Sequence, residues 1–195
     1  MVHRRIMLML FSGGFLLSLG LVTYAVCLRV FASEIISSAN EIRSVADAWR
    51  QLAAWRRRLF AEVIEEPIAT GGDRSYDVQL TNTLLSKLRI AQPTMVQMTV
   101  TMRGGELRSV TLVMETGREP RTGSGVISME WFIHGLHGGI HLHGHRPRTA
   151  VVEFLSETPE AQRRKAFALN PDCVVKPTGC KSAEDILPGV WQLAH

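Results

Sequence analysis

From Ile6 to Leu28 the chain reads IMLMLFSGGFLLSLGLVTYAVCL, a run of 23 residues without a charged side chain. As a helix rising about 1.5 Å per residue it spans the roughly 30 Å hydrocarbon core of a bilayer. The run therefore predicts a transmembrane helix, with the rest of the chain built around that anchor. His3, Arg4 and Arg5 precede it, while Arg29 is soon followed by Glu34 and Glu41. Basic flanks stay on the cytoplasmic side. The expected topology is thus a cytoplasmic N-terminus, a single pass through a bacterial inner membrane, and a C-terminal domain in the periplasm.

Charge composition supports the same division. The chain holds 22 Lys+Arg and 18 Asp+Glu, for a formal net charge of +4, and residues 1–32 contain Arg4, Arg5 and Arg29 but no acid. The remainder is close to neutral, so the basic excess marks a membrane flank and gives no reason to expect nucleic-acid binding. Two processing routes bear on the anchor. Val30-Phe31-Ala32 before Ser33 is a passable small-residue cleavage site, but the apolar run exceeds the 7–15 residues typical of a secretory signal. Tyr24-Ala25-Val26 leads poorly into a lipidated Cys27, which reads as an apolar residue of the span.

Beyond the anchor (residues 1–32), residues 33–67 read as an amphipathic stalk and 68–195 as the extracytoplasmic head. Ser33 to Glu66 has no internal Gly or Pro and stops at Pro67. Ile35, Ile42, Val45, Trp49, Leu52, Leu59 and Val63 fall on heptad a/d positions, interrupted by Ser38 and Arg56. Such a seam predicts either pairing with a protein partner, including a second copy, or packing against the chain's own head. Arg56-Arg57-Arg58 is expected on a solvated face.

The head reads as α+β, with a mainly antiparallel sheet of four or five strands and short helices. Ser75 to Asn82 shows little pattern, and Leu80, Leu84, Leu85 and Leu88 predict a helix over about 81–91 before Pro93. Val96, Met98, Val100 and Met102 alternate, Arg103-Gly104-Gly105-Glu106 turns the chain, and Val110, Leu112 and Met114 alternate back. Further strands are expected at 127–133, 140–144 and 149–155. Thr158-Pro159-Glu160 starts a helix running to about Leu169, and Trp191 and Leu193 anchor the tail. The frequent Met residues of the first hairpin read as core filler.

A membrane helix continuing into an amphipathic helix and a small α/β head resembles subunits of type IV pilus and type II secretion machines. These are either pilin-like proteins or bitopic assembly proteins. A prepilin leader ends in Gly before Phe, as Gly14-Phe15 does here. The family pattern then has Glu at the fifth mature position, where this chain has Leu19. Pilins often close their C-terminal region with a disulfide, a part the resemblance gives to Cys173 and Cys180. The same pair, placed outside the cytoplasm, independently reads as a disulfide.

Five of the seven histidines lie between His134 and His145, in IHGLHGGIHLHGH. With Leu136 to Gly139 as a four-residue loop, Ile133 would face Leu142 and His134 would face His141. Glu130 would face His145, and Phe132 would face His143. Glu130, His134, His141, His143 and His145 would then share a face, a nitrogen-rich set suited to zinc, copper or nickel, with His137 approaching from the loop. A solvated hairpin without any metal, and a pH response from clustered imidazoles, are the other readings. No H-E-x-x-H, G-x-S-x-G or phosphate-binding Gly loop occurs, and no catalytic residues or enzyme activity are expected. The leading expectation is a structural or assembly component of a pilus-like or secretion system, and the alternative is a periplasmic metal-binding module.

Overall fold

The computed structural model describes residues 2–58, 61–67, 74–117, 126–133, 136–143, 146–155, 158, 168–180 and 183–188. Residues 2–11, 66–67, 126–133, 136–143, 146–149, 154–155 and 183–184 are described by their backbone alone. The chain is α+β. A 40-residue helix, α1 (Val2–Glu41), is followed by α2 (Val45–Trp55), α3 (Thr83–Lys87) and seven strands in one sheet. The strands are β1 (Glu62–Pro67), β2 (Arg74–Thr81), β3 (Thr94–Arg103), β4 (Glu106–Thr116), β5 (Val126–Ile133), β6 (Leu136–His143) and β7 (Arg146–Leu155). Their order is β1-β2-β3-β4-β7-β6-β5, and every pairing is antiparallel. A short 3-10 turn (Pro171–Val174) and one helical turn (Ala183–Ile186) follow.

The β3–β4 hairpin forms where alternation places it. Along β3, Thr94, Val96, Met98, Val100 and Met102 are buried, and the residues between them are half-buried. Gly104 and Gly105 carry φ of 58° and 87°, the left-handed pair that a two-residue hairpin turn requires and that residues with a Cβ resist. The buried side of β2, β3 and β4 packs against α1. Leu28, Ala32, Ile35, Ile36 and Ala39 form a helical stripe that shares one core with Ile42, Tyr76, Val78, Leu80, Val96, Met98, Val100, Val110, Leu112, Met114, Ala150 and Val152.

The stalk is not one helix. α1 stops at Glu41, and Ser44, extended at φ −141° and ψ 166°, caps a new helix by accepting the backbone N–H of Asp47 at 3.2 Å. After Trp55 the chain turns and enters β1, which pairs with β2 from Glu62↔Gln79 to Pro67↔Arg74. Heptad spacing continued past this change of structure because Val63, an apolar residue in step with the repeat, is equally a β-branched strand residue. β2 arises from the segment with little pattern, so the sheet exceeds the expected four or five strands. The helix expected over 81–91 shrinks to Thr83–Lys87. The helix expected from Thr158 to Leu169 and the anchors Trp191 and Leu193 lie outside the described residues, save Thr158, Ala168 and Leu169 themselves.

Candidate functional site

α1 has two different surfaces along one helix. Phe15, Leu16, Leu17, Leu19, Val22, Val26 and Val30 are exposed, with Leu17 at 71%, whereas from Leu28 to Ile42 a stripe of the helix is buried. From Ser12 to Glu41 the helix is long and apolar enough to cross a membrane. Large apolar side chains left in water are costly, about 25 cal/mol per Å² of exposed apolar area. The exposed half therefore needs an apolar environment, and the buried half already has one. Arg29 marks the change, with its guanidinium paired to the carboxylate of Asp172 in the 3-10 turn.

Most of the expected seam is used inside the chain. Ile35 on α1, Ile42 just past its end and Leu52 on α2 are fully buried core residues, and Val45 and Val63 pack partly buried against the core. Leu59 lies outside the described residues. Trp49 is 43% exposed and meets Tyr76 edge-on with ring centroids 4.9 Å apart. Of the two readings, packing on the chain's own head is the one these contacts form. Arg56, Arg57 and Arg58 are all exposed, as expected. Arg58 pairs with Glu34 at 3.2 Å and sits over the rings of Phe31 and Trp55, 5.5 and 5.6 Å from their centroids. Ser44 also donates to the Asp47 carboxylate at 2.8 Å, which holds that carboxyl below its ordinary pKa.

The cysteines join as expected. Cys173 and Cys180 form a disulfide with a Cα–Cα distance of 5.3 Å, and Cys27 is free. Asn82 ties this closure to the sheet. Its side-chain amide donates to the carbonyls of Gln92 at 2.8 Å and Val174 at 2.7 Å, and its oxygen accepts the N–H of Thr94 at 2.9 Å. Gly179, at φ 63°, lies so close that a Cβ there would stand 3.1 Å from Gln92 and Thr116. These links were not legible beforehand, although an Asn between a strand and a helix is a familiar cap position.

The histidine hairpin is tighter than expected. Ile133 pairs with Leu136, and Leu136 to Gly139 belong to β6. The Cα partner of Glu130 is Gly139, that of Phe132 is His137, and those of Ser128 and Val126 are His141 and His143. The expected pairings Ile133 with Leu142, His134 with His141, Glu130 with His145 and Phe132 with His143 are therefore replaced. Turn residues were assigned to the glycines at 138 and 139, which instead occupy strand positions. His134 and His145 lie outside the described residues. Against β5, positions 137, 141 and 143 keep one register parity, whereas the β6–β7 register shifts between His141 and Leu142; His137 stands opposite Glu153 of β7. Among the described residues no group of three His, Cys, Asp or Glu is gathered as a metal site.

No family model, curated protein or solved structure matches this chain.

Proposed function

We propose that this protein is a single-pass envelope protein, anchored by α1 with its N-terminus in the cytoplasm, whose exposed helix half and periplasmic head make contacts in a pilus-like or secretion assembly. The observation that carries this reading is the division of one uninterrupted helix into an exposed apolar half and a half buried in the head. That arrangement couples anchor and head rigidly, as an assembly subunit requires. It also argues for keeping the anchor. Cleavage before Ser33 would remove Leu28 and Ala32 from the core, the Arg29–Asp172 pair and the Phe31–Trp55 ring contact. Cleavage after Gly14 would leave all of these in place.

The test combines two measurements on protein from the native membrane. Its N-terminal residue and intact mass should place the start at or next to Met1, or at Phe15, and a start near Ser33 would sink the anchored reading. Photocrosslinkers at Leu16 and Val22 should then capture identified subunits of an envelope assembly. Adducts to phospholipid alone would remove the assembly role and leave the anchor.

A second reading, metal binding at the histidine hairpin, draws support from the shared register parity of His137, His141 and His143 and from Glu153 opposite His137. Calorimetry of the intact chain with zinc, copper and nickel tests it. Absence of binding tighter than roughly micromolar would remove it.

A further inference from the structure

α1 offers a bilayer less free length than the hydrocarbon core requires. The charge-free run begins at Ile6, and the head packs on the helix from Leu21 onward, through Tyr24 and Ala25 to the fully buried Leu28. From Ile6 to Gly20, ahead of the first α1 residue packed on the head's core, the helix runs about 22 Å against a hydrocarbon core of roughly 30 Å. If Arg5 stays at the cytoplasmic interface, about 8 Å of hydrocarbon depth lies level with the head itself. Whatever part of the head stands there must be apolar.

The element at that level is α3 with the turn that ends it. Leu84 lines a shallow apolar groove with Gly13, Leu16, Leu17, Gly20 and Leu21 of α1. Leu84, Leu88 and Ile90 are 44%, 50% and 40% exposed. Apart from Trp49, they are the exposed large apolar side chains off α1 among the described residues. Lys87 and Arg89 stand between them, and the sequence has no acid between Asp77 and Glu106. At this end of the sheet Glu115 borders the cleft beside Thr83 and Ser86, and Asp172 is paired with Arg29.

The turn itself carries a second sign. Arg89 N–H donates to the Ser86 carbonyl at 3.1 Å and Ile90 N–H to that of Leu85 at 2.9 Å, the Schellman closure of a helix. Its left-handed position, φ 59°, is held by Arg89 where glycine is preferred. An arginine there costs backbone strain and keeps a cation beside Leu88 and Ile90.

Resting on the reading that α1 spans a bilayer, we infer that α3 and its C-terminal turn form a second membrane contact. Leu84, Leu88 and Ile90 enter the boundary between headgroups and acyl chains on the periplasmic side, and Lys87 and Arg89 meet the phosphates of anionic lipids. Short apolar segments with basic neighbours bind in this way, the stems lying in the apolar layer and the charges reaching out. Continuity with the apolar face of α1 and the depth deficit identify lipid, rather than a second copy, as what covers this edge.

Spin labels on the full chain, with Cys27→Ser to leave a single free thiol, test the inference. Labels at Leu17→Cys, Leu88→Cys and Glu106→Cys are compared in vesicles of three parts phosphatidylethanolamine to one part phosphatidylglycerol. Leu17 and Leu88 labels should both favour oxygen over a water-soluble nickel chelate, Leu88 at the shallower depth, and Glu106 should be aqueous. An aqueous Leu88 label beside a lipid-embedded Leu17 label would overturn the inference and leave the anchor standing. Both labels aqueous would overturn the spanning reading as well. Spin–spin broadening at Leu88 would assign the edge to a second copy and overturn the lipid contact. In the same vesicles Lys87→Gln with Arg89→Gln should lower the ratio of lipid-embedded to aqueous Leu88 label roughly fivefold per charge removed. An equal loss in vesicles of phosphatidylcholine alone would overturn the anionic-lipid part.

Discussion

The indole N–H of Trp55 donates to the hydroxyl of Ser38 at 3.3 Å, from the last residue of α2 to the middle of the packed half of α1. Both residues are buried. Ser38 is one of the two residues that interrupt the heptad seam, and its hydroxyl ties α2 to α1. Ser38→Ala would leave a buried indole N–H unpaired and should cost about 1–3 kcal/mol. A double-mutant cycle with Trp55→Phe, read by denaturant unfolding in detergent, should show a double mutant less destabilised than the sum of the singles. Strict additivity would mean that the bond contributes nothing.

Ile35 and Ile42 separate core from interface. Both are fully buried within a single chain, so Ile35→Ala or Ile42→Ala should each cost about 2–5 kcal/mol. The loss should not depend on protein concentration. A destabilisation that disappears on dilution would mean the seam binds another copy.

Asn82 makes three hydrogen bonds to backbone groups, two at the entry to β3 and one inside the disulfide loop. Asn82→Ala should leave the Gln92 and Val174 carbonyls and the Thr94 N–H without this partner and cost about 2–4 kcal/mol. Limited proteolysis should then cut first near residues 170–180. An unchanged cleavage pattern would show that Asn82 does not hold that segment.

Closing the loop between Cys173 and Cys180 contributes about 2.5 kcal/mol by the chain-entropy estimate for so short a loop. The paired Cys173→Ser and Cys180→Ser variant should lose about that much stability while keeping the far-UV spectrum. Gly179→Ala should also destabilise with the disulfide intact, through its positive φ and the 3.1 Å approach to Gln92 and Thr116.

The lowered pKa of Asp47 gives a stability term with a definite sign. Its cause is first the hydrogen bond from the Ser44 side chain, which desolvation opposes, with backbone hydrogen bonds and the charge of Arg50 adding to the lowering. A carboxyl lowered on folding adds stability that is fully present above its unfolded value and lost as the pH falls through the folded one. Protection factors of the amides at the start of α2, corrected for the intrinsic pH dependence of exchange, should therefore fall on acidification, and Ser44→Ala should weaken that dependence. Identical acid profiles for the two proteins would refute the coupling.

The class of the fold was legible because two periodicities are local. A charge-free stretch declares a membrane-length helix, and strict alternation around Gly104-Gly105 declares a hairpin, whatever surrounds them. The disulfide followed from topology and cysteine count. β1 was not legible, since Val63 fits a heptad as well as a strand; β2 does alternate, with Tyr76, Val78 and Leu80 against Asp77, Gln79 and Thr81, but Leu80 also stands in helical step with Leu84 and Leu88, which hides the strand's end. The histidine register also escaped, because glycine marks a turn and a strand position equally well in so glycine-rich a segment.

By itself, then, the sequence determined that this chain has an N-terminal helix long and apolar enough to cross a membrane, an antiparallel α+β head and a closed C-terminal loop. Those are properties of residue type and spacing along neighbouring positions. Only the tertiary structure decided where α1 stops belonging to the anchor and starts belonging to the head. The apolar residues of both halves look alike in sequence, and what separates them is the sheet that covers Leu28 to Ile42 and leaves Phe15 to Val26 exposed. Burial is a property of the partner surface, and that surface is assembled from strands 30 to 120 residues further along the chain.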